Sequence, residues 1–201
     1  AYHEQTGRLE LPARLAISIL GSIAIDQGDY ETGLRYYQRF LDSSQATDDR
    51  INTAHAYDYL ARAWNHLGDF TQAVALADQS IARADSLGDA PIKGMALLNK
   101  CYAHHQLGEL AEALRGLTDA VALARINDLP FTLANTLAQL AETQMALAAS
   151  TDEWEEVAAN FHEAATLLHA SDERIRAYAV EISLAELARR RGDVDAAQKQ
   201  I

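Results

Sequence analysis

Apolar residues return every three or four positions through most of this chain, and short polar turns interrupt them at regular intervals. After Gly68-Asp69, the apolar positions are Phe70, Ala73, Val74, Ala77, Ile81 and Ala84. After Gly108-Glu109, Leu110, Ala113, Leu114, Leu117, Val121 and Ala124 fill the same columns, and Trp154, Val157, Ala158, Phe161, Ala165 and Leu168 fill them again. Upstream of the turn, Tyr57, Leu60, Ala61, Trp64 and Leu67 share one face. Such spacing keeps each set on a single side of a helix. Nothing alternates in the manner of a strand. The pattern predicts helices over 12–27/30–44, 50–67/70–87, 91–107/110–126, 130–148/152–169, and 172–191 with a partner from 194 onward.

The turns set a repeat. Gly28-Asp29-Tyr30, Gly68-Asp69-Phe70 and Gly108-Glu109-Leu110 stand 40 residues apart, and Gly192-Asp193-Val194 follows after 84. That last interval is two periods with four added residues, assigned to Ala148-Ala149-Ser150-Thr151, with Trp154 in the Tyr30 position. Glycine suits the left-handed residue that ends a helix, and the following Asp caps the next one. Leu87-Gly88-Asp89 carries the same chemistry between copies. Pro12, Pro91 and Pro130 fall at predicted helix starts, where proline is tolerated. Gly33, Ala73, Ala113 and Ala197 are small enough for close helix crossings. The predicted fold is all-α: an α-α superhelix, or solenoid, of antiparallel helix pairs, with four full repeats and a truncated fifth, forming a single repeat domain over 1–201. Ala1 in place of an initiator Met, and an end inside the last helix, lead us to expect a piece of a larger protein.

Composition narrows the partners. Net charge is −12, from 29 acidic and 17 basic residues. That sign disfavours nucleic acid and anionic lipid as direct partners. The longest apolar run, Leu15 to Ile25, holds Ser18, Gly21 and Ser22 and falls short of a membrane span. A single cysteine, Cys101, suits a reducing, cytoplasmic setting.

The Gly-Asp-aromatic-x-x-Ala segment, the small residue seven before the turn glycine (Gly21, Ala61, Cys101, Ala185) and the paired helices resemble the tetratricopeptide repeat. The period of 40 is longer than the usual roughly 34 residues. In this it is similar to repeats of bacterial signalling and transcription regulators, the peptide-sensing Rap proteins among them, and of kinesin light chain. The resemblance implies a module that binds protein or peptide in signalling or transcription regulation. The alternative it leaves open is an effector-sensing domain, with a small molecule or peptide in a cavity lined by Arg62, Asn99 and Tyr102. It also implies that the first helix of each pair lines a groove. The groove-facing positions are then His55, Asp58, Arg62 and Asn65; Met95, Asn99 and Tyr102; and Asn135, Gln139 and Glu142, with the small pair Ser18 and Ser22 in the first copy. A plainer reading makes Asp58–Arg62 a solvated i,i+4 surface pair. The Lys and Asn set with which some relatives clamp a terminal carboxylate is missing: the matching positions are Ser18, Ser22, Tyr59, Met95 and Asn99.

Catalytic chemistry finds little support. His104 and His105 point to different sides of a helix, and His162 and His169 are two turns apart, so neither pair has metal-ligand spacing. Cys101 falls in a packing column. Asp152, Glu153, Glu155 and Glu156 around Trp154 suit a helix N-terminus, and Trp64 and Trp154 stand at core spacing. The expectation is a non-enzymatic binding module without cofactor or metal, with a possible homodimer through the exposed C-terminal repeat.

Overall fold

The computed structural model describes residues 10–147 and 151–193. Among them are nine α-helices and no strand: α1 Leu11–Asp26, α2 Tyr30–Ala46, α3 Arg50–Leu67, α4 Phe70–Leu87, α5 Ala90–Gln106, α6 Leu110–Ile126, α7 Pro130–Leu147, α8 Thr151–Ala170 and α9 Arg174–Arg190. The nine predicted helices fall within two residues of these bounds. The altered turn at Ala148-Ala149-Ser150 and the helix expected from 194 lie outside the described residues.

Local chemistry explains the boundaries. The carboxylates of Asp29, Asp49, Asp69 and Asp89 each accept the backbone N–H three residues on, at 3.0–3.1 Å, which satisfies a donor the helix start leaves open. At the other ends, Gly68 (φ +82°) and Gly88 (φ +66°) take the left-handed conformation. Three ends have no glycine. Asp48, Asp128 and Asp172 occupy the same region at φ +53°, +51° and +57°. Aspartate is among the few side-chain-bearing residues that tolerate this backbone.

The chain divides into two compact units, Ala1–Leu107 and Gly108–Ile201. In the first, each helix packs antiparallel on the next from α1 to α5, and α3 also packs on α5. Its core joins Ile17 and Ile25 of α1 to Tyr37, Phe40 and Leu41 of α2 and to Ala56, Leu60 and Ala63 of α3. Small residues set the crossings. A Cβ on Gly21 would lie 2.6 Å from the Tyr37 ring, and one on Gly33 would lie 2.5 Å from Ile25. Farther along, Ala54 and Ala84 meet Ile92, and Ser80 Oγ donates to the Ala54 carbonyl at 2.9 Å. Arg14 ties α1 to the α2–α3 turn, donating to Thr47 Oγ1 at 2.6 Å and to Asp49 at 2.7 Å.

In the second unit α6 packs on α7, α7 on α8 and α8 on α9, with α7 also touching α9. Its core runs through Leu137, Val157, Phe161, Leu168, Val180 and Leu184, and Trp154 packs against it. No helix among the described residues is long and apolar enough to cross a membrane.

Candidate functional site

The odd-numbered helices carry the predicted site residues, and the first unit brings most of them together. On α3, Asp58, Arg62 and Asn65 stand at i, i+4 and i+7. Their partners come from three other helices. Asn99 of α5 donates through Nδ2 to Asp58 Oδ1 at 2.8 Å, and its backbone carbonyl accepts from Asn65 Nδ2 at 2.9 Å. Two residues of α3 seven apart therefore hold one residue of α5. Asn99 is the half-buried member of this set; Asp58 is 5% exposed and Asn65 7%. These two, with Gln139 at 8%, were expected to face a groove but lie mostly beneath the surface.

Asp58 and Arg62 do not behave as a solvated surface pair. The Asp58 carboxylate is turned to Asn99, and Arg62 turns the other way. Arg62 Nη2 donates to Tyr37 Oη at 2.7 Å and to Ser22 Oγ at 3.4 Å, while Ser22 and Tyr37 share a bond of 3.0 Å. The guanidinium lies 5.9 Å from the Tyr59 ring centroid, and Tyr59 in turn stacks on His55 at 5.8 Å. Burial pushes the Asp58 carboxyl up to about 6, against the hydrogen bond from Asn99 and the charge of Arg62, which pull it down. Burial lowers His55, opposed by Asp89 and Asp49.

Two buried atoms of this cluster remain unmatched: Arg62 Nε and Asn65 Oδ1 find no partner among the described residues. Around them the face is mixed. Leu15 and Ile19 of α1 are 44% and 58% exposed, and Tyr102 of α5 is 41% exposed and forms an edge-to-face pair with Phe70. Leu15, Ile19 and Ser22 share a face of α1 by spacing, as Met95, Asn99 and Tyr102 do on α5.

The second unit has its own polar link. Arg176 Nη1 of α9 donates to Asn135 Oδ1 of α7 at 2.8 Å, and the guanidinium sits over the Phe131 ring. Glu142 is accessible, yet crowding desolvates it enough to raise its pKa.

Two residues that hold these polar links, one in each unit, escaped sequence reading. Tyr37 lies in the second helix of its pair, in a column read only as packing; a tyrosine rather than a phenylalanine there was the available signal. Arg176 offered no signal beyond its charge. Cys101 is buried in its packing column, and His169 Nε2 lies 2.8 Å from Glu181. Among the described residues, no group of three or more His, Cys, Asp or Glu side chains is placed to hold a metal. Open cavities of about 230 and 180 Å³ lie elsewhere, one around Arg50 and Arg83, the other around Leu114 and Glu156.

In each unit successive helices pack in sequence, joined by left-handed turns, and in the first unit α3 is pinned to α5; this is the arrangement of a helical repeat protein. Residues 13–86 match the family model of the tetratricopeptide repeat. No curated protein matches it in sequence. Among solved structures it is similar to a Rap protein complexed with Competence and Sporulation Factor, with a TM-score of 0.83 at 16% identity over 98% of this chain and 55% of that one. It is similar to aspartyl phosphate phosphatase F from Bacillus subtilis, with a TM-score of 0.74 at 14% identity over 94% and 50%. It is also similar to a kinesin light chain repeat protein of Podosopora anserina, with a TM-score of 0.69 at 19% identity over 96% and 93%. The chain thus spans about half the length of the first two. At these identities the likeness is one of fold.

Proposed function

We propose that this chain is a scaffold that binds a protein or peptide segment on the face shared by α1, α3 and α5, as part of a signalling or regulatory protein. The observation that carries the reading is Arg62: a half-buried guanidinium fixed by neutral hydroxyls, with hydrogen-bonding capacity left over, while the helices on either side, α1 and α5, carry exposed Leu15, Ile19 and Tyr102. A rigid polar anchor among apolar contact residues is what an extended segment or an amphipathic helix uses for orientation. The likeness to a Rap protein solved with a bound factor, and the family match, support the same reading.

The test is peptide-display selection on the immobilised chain, with Arg62→Ala and Tyr102→Ala variants as counter-targets. Peptides that bind the wild type and lose roughly tenfold or more on either variant support the proposal, since anchor residues carry most interface energy. Recovery of no binder, or only of binders indifferent to both substitutions, overturns it.

A further inference from the structure

We infer that Arg62 receives an internal aspartate or glutamate side chain of the bound segment, flanked by apolar residues. This inference rests on the binding face proposed above and specifies its chemistry.

Arg62 lacks the partner its charge calls for. Its two hydrogen bonds go to hydroxyl oxygens, both from Nη2, and no carboxylate lies within ion-pair distance among the described residues. Nη1 makes no hydrogen bond there, and Nε is buried without an acceptor. Elsewhere in the first unit, Arg14 pairs with Asp49, Lys93 with Asp85 and Lys100 with Asp78. In a protein of net charge −12, a half-buried arginine left without an acid, though acids are plentiful, is one held open. Asp58 sits one turn away, but it is buried and turned to Asn99, so it does not close the gap.

The cation is also held in place. Tyr37 is fully buried, its hydroxyl is bonded to both Arg62 and Ser22, and Tyr59 lies against the guanidinium. A planar donor that is already oriented loses little entropy when a carboxylate arrives, and such charge-assisted bonds are roughly twice as strong as neutral ones.

Placement distinguishes an internal side chain from a chain end. Arg62 stands on the middle helix of the three. Contact residues continue on both sides: Leu15 and Ile19 on α1, Met95 and Tyr102 on α5. A segment seated on Arg62 runs on in both directions, so the acid is internal and its neighbours are apolar. The protein's overall charge also opposes a uniformly acidic segment, which leaves one carboxylate among neutral, apolar or basic residues.

The experiment uses acetylated and amidated peptides from the selection above, each acidic residue replaced in turn by its amide. Affinity is read by fluorescence polarisation on wild type, Arg62→Gln and Arg62→Lys chains of equal helicity by circular dichroism. One acid-to-amide change is expected to weaken wild-type binding roughly 10- to 100-fold and to change binding to Arg62→Gln less than about twofold. Arg62→Lys should recover only part of the loss, because lysine lacks the planar fork. Binders on this face without any acid, equal losses on wild type and Arg62→Gln, or a gain of affinity only when the peptide's free C-terminal carboxylate is restored each overturn the inference while leaving the binding face standing. Failure to select any binder overturns both.

Discussion

At the scale of single residues, Asp58 is the group whose surroundings oppose its chemistry most. Its carboxyl is buried with one amide donor, and its pKa rises from 3.8 to about 6. A carboxyl whose folded pKa exceeds its unfolded one favours the folded state when protonated. The benefit is complete below about 3.8 and is lost as pH rises through 6. Asn99 faces it and donates to it, Tyr59 is nearby, and Arg62, turned away one turn along the helix, reaches it only through its charge and is the only one of the three charged across this range. Other carboxylates act in the opposite sense: hydrogen bonds from Asn52 and the charge of Arg14 hold Asp49 low. The wild-type curve alone therefore does not isolate Asp58. The difference between wild type and Asp58→Asn does. From pH 4 to pH 7 it should move toward the variant by on the order of 2–3 kcal/mol, at 1.36 kcal/mol per pKa unit. Urea midpoints across that range measure it, and a flat difference would show that the carboxylate is well solvated. This burial was not legible in the sequence. An Asp and an Arg four apart on a helix read as a surface pair, and the packing of α5 on α3, which brings Asn99 to the buried Asp58, joins residues 41 apart. The left-handed aspartates were equally hidden, because Asp48, Asp128 and Asp172 do what glycine does at the other helix ends without glycine's signature.

At the scale of elements, helix bounds were legible because three independent signals coincide: apolar period, Gly-Asp punctuation and proline at helix starts. The lateral joint between first helices was not, since its partners are 34 and 41 residues apart. Asn99 is its centre. Its side chain serves Asp58, and its backbone serves Asn65. Asn99→Ala removes the amide and leaves a buried carboxylate without its donor, which should cost about 2–3 kcal/mol. The Asn65 bond persists, because it goes to a backbone carbonyl. If the joint works this way, Asn99→Ala should cost much less once Asp58 is already Ala. The double-mutant cycle should then return a coupling of about 1–3 kcal/mol. Additive losses would mean that Asn99 acts through packing alone.

At the scale of the whole molecule, the repeats were legible, whereas the division into two units was not, since the period runs on through residue 107 without a break. A chain of repeats draws its stability from each repeat and its nearest neighbours, so damage should stay local. Nature supplies the reporters: Trp64 is the only tryptophan of the first unit and Trp154 the only one of the second. Gly21→Ala is a suitable lesion. The new methyl would sit 2.6 Å from the ring of fully buried Tyr37, which cannot yield without shifting the hydroxyl that holds Arg62. Overpacking of this kind costs about 1–3 kcal/mol. Followed through Trp64 in a Trp154→Phe background, the urea midpoint should fall accordingly. Followed through Trp154 in a Trp64→Phe background, it should hardly move. Equal falls at both tryptophans would mean that the chain unfolds in one step, and the nearest-neighbour account would fail. In a chain that keeps its helicity, Gly21→Ala should also weaken any ligand that depends on Arg62, since the same ring that meets the methyl positions the guanidinium.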